Sequence, residues 1–145
     1  MTTQAENPAT NNLGSGAMFD HIAPRYDRLN RILSLGGDRR WRRACAAALG
    51  LTHESRVADI ATGTGDLAFE ILAQEPGANV VGIDPSPEML AVGRRKATGR
   101  GMDDRLTLMS GDAQALPLAD DEVDAACMAF GIRNVVDRAR ALGEM

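Results

Sequence analysis

With 145 residues, the chain has the length of one domain, and its 44% hydrophobic and 25% charged content is that of an ordinary globular protein. The net charge of −4 gives no overall electrostatic reason to bind nucleic acid, so we expect no nucleic-acid partner. No apolar run approaches the roughly 20 residues of a membrane span, and the N-terminus lacks a secretory signal, so we expect a cytoplasmic protein.

The first 50 residues divide into a tail and a helical lid. Residues 1–17 are rich in Asn, Thr, Gly and Ser and predict a disordered tail. In the predicted lid, 18–50, apolar residues between 18 and 34 recur at spacings of three and four, which predicts a helix interrupted near Pro24. Asp38 is placed to cap a second helix. Its apolar stripe is expected to comprise Trp41, Ala44, Cys45, Ala48 and Leu49.

From 51 to 145 the pattern changes to alternating strands and helices. Strands alternating with helices of this length imply right-handed crossovers and an α/β fold with a doubly wound, mainly parallel, Rossmann-like sheet. The predicted strands are Arg56–Ala61, Asn79–Asp84, Arg105–Ser110 and Val123–Phe130. The predicted helices run from about Asp66 to Gln74, from Pro87 to about Gly99 with Ser86 as N-cap, and from about Val136 onward.

The two cysteines, Cys45 and Cys127, lie far apart, and the sequence contains no CxxC motif and no cluster of cysteine with histidine. A disulfide framework or a structural zinc site is therefore not expected, and we predict no metal site. Both thiols are interpreted as packing residues.

A glycine turn follows the first predicted strand. Gly63 and Gly65 lack a Cβ, so the backbone there can approach a ligand closely. Asp84 ends the second strand, 21 residues after Gly63, where its carboxylate can accept both hydroxyls of a ribose. Up to this point the sequence equally fits a nicotinamide or flavin dinucleotide site, since residues 63–68 match GxGxxA.

The charges around this turn favour a different ligand. Asp59 lies just before the turn and Asp66 directly after Gly65. Two carboxylates would repel a pyrophosphate, whereas they suit a ligand with a cationic end, such as the ammonium and sulfonium of S-adenosylmethionine. In the alternative interpretation, Asp66 only starts a helix and Asp59 only orients the loop backbone.

A second candidate contact follows the third strand. Asp112 and the backbone N–H of Ala113 lie side by side at the predicted strand end, where they can bind the amino group and a ring nitrogen of an adenine. Alternatively, the Gly111-Asp112 pair is simply a turn.

Together these motifs resemble the class I S-adenosylmethionine methyltransferases, and two further segments narrow the likeness. The stretch YDRLNRILSLGGDRRW, 26–41, is similar to the N-terminal signature of the ubiquinone/menaquinone biosynthesis C-methyltransferases, the UbiE/MenG family, and FGIRNV, 130–135, resembles that family's FGxRNV segment. Leu29 stands where the signature has methionine, and Asp38 where it has histidine. Family members continue through further strands, so the C-terminal strands are expected to be missing from this chain.

The resemblance implies methyl transfer from S-adenosylmethionine to a ring carbon of a polyprenyl quinol, either demethylmenaquinol or the equivalent ubiquinone precursor. Arg133 is a candidate to stabilise the phenolate charge, and a surface or structural arginine is the alternative. Tyr26 and His21 are further candidates on the lid, and for His21 the alternative is an ordinary, partly exposed histidine. The implied cofactor contacts are Thr64, Asp84, Asp112 and Ala113, with Gly63 and Gly65 shaping the loop.

The lid also carries seven arginines between 25 and 43, against Asp27 and Asp38. Since a polyprenyl substrate lives in a bilayer, this segment is a candidate for peripheral contact with the inner membrane face, and a solvated helix face is the alternative.

Two other functions stay open: a class I methyltransferase with another small-molecule acceptor, and a cofactor-binding fragment that is inactive alone. The fourth predicted strand would form a sheet edge, so we also expect a homodimer or poor solubility.

Overall fold

The computed structural model describes residues 16–145, with side chains from His21 onward except that of Arg31. The predicted tail, 1–17, lies outside the described residues apart from Gly16 and Ala17, which begin the first helix. The helices are α1 (Gly16–Leu33), α2 (Gly37–Ala48), α3 (Asp66–Gln74), α4 (Pro87–Arg100) and α5 (Arg138–Glu144), with a 3-10 helix at Ile132–Asn134. The strands are β1 (Arg56–Ile60), β2 (Asn79–Asp84), β3 (Leu106–Ser110) and β4 (Ala125–Cys127).

The four strands form one sheet in the order β3-β2-β1-β4, and all three pairings are parallel. The predicted fold class is thereby confirmed. β1 and β2 are nearly continuous apolar runs because parallel strands at the centre of a sheet are covered on both faces. The carboxyl ends of all four strands meet at one edge of the sheet, which is where ligands bind in open α/β folds.

Apolar side chains cover both faces of this sheet. Val57 of β1 belongs to one core cluster together with side chains of α3, whereas its neighbour Ala58 belongs to a second cluster that includes Ala141 of α5. This alternation follows from the period of two along a strand. β4 is an edge strand of the described sheet, and self-association through this edge stays a prediction.

The caps of α4 follow the sequence prediction. The hydroxyl of Ser86 accepts the backbone N–H of Met89 at 3.2 Å, and Pro87 occupies the first helical position, where its missing N–H costs nothing. Gly101 adopts a left-handed conformation with φ +63° and ends the helix.

Three predictions about the lid are wrong. Helix α1 continues through Pro24, and contacts on either side, with Ala23 buried and Asp27 bound by Lys96, hold it across the missing backbone hydrogen bond. Asp38 is the second residue of α2, not its cap, because its carboxylate binds other side chains instead. The predicted stripe of α2 is wrong at Trp41, Ala44 and Ala48, which are exposed, and the buried alanine is Ala46. Its other two members, Cys45 and Leu49, do pack against the core as partly buried side chains.

The fourth strand is shorter than predicted, Ala125–Cys127 instead of Val123–Phe130. Phe130 has a φ of +65°, which a strand cannot accommodate, so the chain leaves the sheet before this residue. The last helix begins at Arg138 with Asp137 as its N-cap. In the range 16–145, no helix combines the length and the apolar character needed to cross a membrane.

Two glycines of α4 provide a matched test of this packing. A Cβ at Gly93 would lie 2.8 Å from a methyl of Leu108 and 3.2 Å from the backbone oxygen of Thr64, whereas a Cβ at Gly99 would meet nothing within 4 Å. Gly99→Ala is therefore expected to raise the free energy of unfolding by up to about 1 kcal/mol, because alanine loses less entropy in a helix. Gly93→Ala is expected to lower it by about 1–3 kcal/mol through overpacking.

Urea denaturation of both variants measures the difference. Equal effects of the two substitutions would contradict the close approach of α4 to β3 and to the glycine turn.

Candidate functional site

The main cavity of the described chain, about 360 Å³, lies at the carboxyl edge of the sheet. Residues just beyond the end of each of the four strands line this cavity, and Tyr26 of α1 lines it from the lid. The residues lining it from the four strand ends are Ala61 and Gly63, Asp84 and Pro85, Ser110 to Gln114, and Ala129 to Gly131.

Asp84 is a buried polar residue of this cavity, and backbone hydrogen bonds hold both of its carboxylate oxygens. Its side chain is buried, with 7% of the residue exposed. One carboxylate oxygen accepts the backbone N–H of Gly63 at 2.8 Å, and the other accepts the backbone N–H of Ser86 at 2.9 Å. The carboxylate therefore ties the glycine turn after β1 to the start of α4.

The glycine turn requires its glycines. Gly63 and Gly65 have φ values of +58° and +84°, in the region that side chains disfavour. Ala61 and Phe130 also have positive φ, +55° and +65°, and both line the cavity. Strained backbone at non-glycine residues is concentrated at functional sites, so its position here supports a ligand site.

Asp112 and Ala113 lie across the cavity from the glycine turn, at the end of β3. Asp112 is exposed, and its Oδ1 accepts the backbone N–H of Gln114 at 2.9 Å. Ala113 is only 9% exposed. Gly111 allows this bend, because a Cβ there would lie 2.7 Å from a methyl of Ile83.

A smaller cavity of about 40 Å³ adjoins the main one. The two share Tyr26, Ala61, Gly63, Ala129 and Phe130 as lining residues. Six further polar side chains line the smaller cavity, and these are Asn30, Arg42, Asp59, Thr62, Thr64 and Asp66. Only Arg42, Asp59 and Asp66 among them can carry a charge.

Asp59 is 1% exposed and lies at the base of this smaller cavity. The hydroxyl of Thr62 donates to its carboxylate at 2.6 Å. Burial raises the pKa of Asp59 to about 7, and the hydrogen bonds from Thr62 and from the backbone of Ala68 oppose that rise. Burial likewise raises the pKa of the neighbouring Cys127 thiol, so this cysteine stays protonated.

The charge of Asp66 is balanced within the protein. Its carboxylate lies 2.5 Å from Nζ of Lys96 and 3.4 Å from Nη1 of Arg42. Arg42 also binds Asp38 at 2.7 Å. The sequence suggests two uncompensated negative charges at Asp59 and Asp66, but in the structure the charge of Asp66 is compensated by Lys96 and Arg42.

The predicted site residues fall into three groups. The main cavity brings together Tyr26, Gly63, Asp84, Asp112 and Ala113, and the smaller one brings Asp59, Thr64 and Asp66. Gly65 lines neither cavity but shapes the turn between them. Arg133 is exposed on the 3-10 helix and lines neither cavity, although its neighbours Gly131 and Asn134 line the main one. His21 is exposed, and the chemical roles of Arg133 and Tyr26 stay predictions.

Sequence reasoning missed several residues around the cavities. Met89 and Gln114 line the main cavity, and no local motif identifies them. Phe130 also lines it and begins the FGIRNV segment, but the sequence did not assign it a place in the site. Asp27 and Lys96 contact the glycine turn from the lid and from α4. One signal was available for Lys96, since it is the only lysine among the 16 basic residues of the sequence.

Comparison with known proteins connects this geometry to a family. The sequence model of the ubiE/COQ5 methyltransferase family matches residues 8–145. Over 130 residues, the chain is 52% identical to the ubiquinone/menaquinone biosynthesis C-methyltransferase UbiE of Citrifermentans bemidjiense, covering 89% of this chain and 55% of that protein. Over 128 residues it is 51% identical to the demethylmenaquinone methyltransferase of Thermus thermophilus, covering 88% and 57%. The chain thus spans about half the length of the curated relatives it matches.

Solved structures share the fold. The cyclase SpnF matches with a TM-score of 0.75 and 23% identity over 89% of this chain and 53% of that one. A methyltransferase from Thiobacillus denitrificans, solved with S-adenosyl-L-homocysteine, matches with a TM-score of 0.60 and 25% identity over 71% and 41%. A cyclase and a methyltransferase on one fold show that the fold alone does not decide the reaction.

The burial of Asp59 predicts a pH dependence of stability. In the unfolded chain this carboxyl ionises near its ordinary value of 3.8, but in the folded chain near 7. Between these pH values the folded state holds the extra proton, so this group's contribution to stability falls as the pH rises from about 4 to 7. The total loss is about 4 kcal/mol at most.

Asp59→Asn cannot ionise, and its amide oxygen can still accept the Thr62 hydroxyl. Urea denaturation between pH 4 and 8 should therefore show a shallower decline in the variant than in the unchanged chain. Parallel curves for the two proteins would refute the raised pKa.

Proposed function

The chain belongs to the ubiE/COQ5 methyltransferase family, and on that basis we propose that it binds S-adenosylmethionine and serves the methylation of a ring carbon of a polyprenyl quinol. The acceptor is demethylmenaquinol or the equivalent precursor of ubiquinone. The observation that carries the proposal is the Asp84 carboxylate, which is buried at the sheet edge, holds the glycine turn and borders a cavity of about 360 Å³.

The main cavity suits the adenosine part of the ligand. An ionised carboxylate has about four lone-pair positions, so Asp84 can accept ribose hydroxyls in addition to its backbone N–H donors. Asp112 and the backbone of Ala113 are candidates for the adenine edge. Met89 also lines this cavity and offers the apolar contact that a flat base requires.

The smaller cavity suits the methionine end. Asp59, Thr64 and Asp66 surround it, and Asp59 is the carboxylate whose charge no lysine or arginine of the described chain contacts within 4.0 Å. A cationic ligand beside Asp59 favours the ionised form of that carboxyl, so binding is expected to lower its pKa. The attraction for a cationic ligand therefore comes from Asp59, because Lys96 and Arg42 already neutralise Asp66.

The remaining steps of methyl transfer concern the quinol that accepts the methyl group. When bound, S-adenosylmethionine supplies an electrophilic methyl group on its sulfonium. The protein's residues must then orient the quinol ring, favour its phenolate and take the proton that the ring carbon loses. We assign orientation to Tyr26, which lines both cavities, and stabilisation of the phenolate to Arg133, whose neighbours Gly131 and Asn134 line the main one.

The proposal is tested with methyl-labelled S-adenosylmethionine and a demethylated naphthoquinol. The expected result is label in the extracted quinone, and no label when a simple phenol replaces the naphthoquinol. Label transferred only to the small phenol would instead favour a methyltransferase with another acceptor.

A variant pair tests the assigned adenine contact by calorimetry with S-adenosylhomocysteine. Asp112→Ala removes one charge-assisted hydrogen bond and is expected to weaken binding about tenfold or more. Asp104→Ala removes an equally exposed carboxylate from the turn before β3 and should bind like the unchanged chain. Unchanged affinity in Asp112→Ala would contradict the adenine assignment.

We further propose that the lid contacts the surface of a membrane to reach a polyprenyl substrate. Around the turn between α1 and α2, Ile32, Leu33 and Leu35 are 63%, 81% and 96% exposed. Arg28, Arg39, Arg40 and Arg43 are exposed on the same two helices and could bind anionic headgroups. Arg43 also contacts Glu70 at 3.5 Å but stays exposed, whereas Arg42 is paired with Asp38 and Asp66.

Flotation with anionic vesicles tests this contact. Changing Arg39, Arg40 and Arg43 to glutamine is expected to weaken binding by about 1 kcal/mol for each arginine lost. The matched control changes Arg95, Arg138 and Arg140, which are exposed on α4 and α5, and should float as before. Equal flotation of both triple variants would remove the lid from the membrane proposal.

A further inference from the structure

The ammonium of Lys96 binds three separate parts of the chain. Nζ donates to Oδ2 of Asp27 on the lid helix α1 at 2.8 Å, to the hydroxyl of Thr64 in the glycine turn at 3.0 Å, and to Oδ1 of Asp66 at the start of α3 at 2.5 Å. An ammonium has three donors, so all three are used. The side chain is 19% exposed, and the same site also holds a direct bond from the Thr64 hydroxyl to Asp27 at 2.5 Å.

The site requires a lysine in a chain that otherwise uses arginine. All other basic residues of the sequence are arginines, 15 of the 16. A compact ammonium can donate in three directions from one atom, whereas the planar guanidinium spreads its donors over a larger fork. The space around the ammonium is also bounded by Phe69, whose ring centroid lies 5.4 Å from Nζ. Cζ of Arg100 lies 4.3 Å from the same ring centroid.

The described side chains of α1, from His21 onward, bury little apolar surface. Among its described side chains only Ala23 is fully buried, while Leu29, Ile32 and Leu33 are 43%, 63% and 81% exposed. Segments with few buried apolar contacts open at low free-energy cost. Among the described side chains of α1, Asp27 therefore provides a main attachment to the domain, through its bonds with Lys96 and Thr64.

Asp27 directly follows Tyr26, the lid residue that lines both cavities. The Tyr26 ring reaches the glycine turn, since a Cβ built at Gly63 would lie 4.0 Å from its Cε1. The contacts that hold Asp27 in place therefore also restrain the neighbouring Tyr26 side chain, which lines both cavities.

We propose that Lys96 is a positioning residue that latches the lid helix to the glycine turn through Asp27, Thr64 and Asp66, and so controls how firmly the cavities hold an S-adenosyl ligand. Lys96 lines neither cavity and acts on the ligand through Tyr26 and the turn. The effect on the ligand rests on the proposed function, whereas the latch itself does not.

The latch is tested first without ligand. Hydrogen exchange of the backbone amides of α1 should accelerate about tenfold in Lys96→Met, because the loss of a charge-assisted hydrogen bond favours local opening by roughly that factor. The amides of β1 and β2 should keep their exchange rates. Lys96→Arg should not restore slow exchange. Arg95→Met, at the neighbouring exposed position of α4, should behave like the unchanged chain. Unaltered α1 exchange in Lys96→Met, or full rescue by arginine, would overturn the proposal.

The single lysine allows a second readout. Acetylation by an amine-selective reagent can modify only Lys96 and the N-terminal amine, and mass spectrometry separates the two. Lys96 should react more slowly when S-adenosylhomocysteine is bound, with the N-terminal amine as internal reference, and Lys96→Met should release the ligand about tenfold faster. Equal labelling with and without bound ligand contradicts the ligand-linked latch. If the unchanged chain binds no S-adenosylhomocysteine, the proposed function fails, and the exchange experiment still decides the latch.

Discussion

The Asp84 carboxylate accepts backbone N–H groups from two segments that the sequence separates, the glycine turn at Gly63 and the residue before α4, Ser86. Both segments follow neighbouring parallel strands, so one side chain sets the distance between them. The conformation of the turn, with its positive φ values, is held in place by this contact. The cavity exists where it does because this side chain fixes two of the loops that form its wall.

Around this centre, charge is distributed unevenly between the two cavities. Asp66 is neutralised by Lys96 and Arg42. Burial raises the pKa of Asp59 to about 7, so at neutral pH a cationic ligand beside this carboxyl would shift it toward its ionised form. The lid is held by the same polar network that neutralises Asp66. In the proposed site, Thr64 and Asp66 connect ligand binding with the position of the lid, because both line the smaller cavity and both accept hydrogen bonds from Lys96.

The sequence predicted those features that local signals determine. The bounds of α3 and β2 and the Ser86 cap follow from short-range patterns, and the meeting of Asp84 with Asp112 follows from parallel strands ending at one edge. Contacts such as Lys96 with Asp27, 69 residues apart, depend on how the lid packs and leave no periodic trace. Residue propensity predicts that the fourth strand continues to Phe130. The positive φ of Phe130 instead ends β4 early, and Arg133 lies exposed beyond this turn.

If the sheet edge at Asp84 binds an S-adenosyl nucleoside and not a dinucleotide, titration calorimetry of the chain should show saturable heat with S-adenosylhomocysteine. NADH, titrated separately, should not bind and should not displace S-adenosylhomocysteine. Saturable binding of NADH in competition with S-adenosylhomocysteine would show instead that the site accepts a dinucleotide.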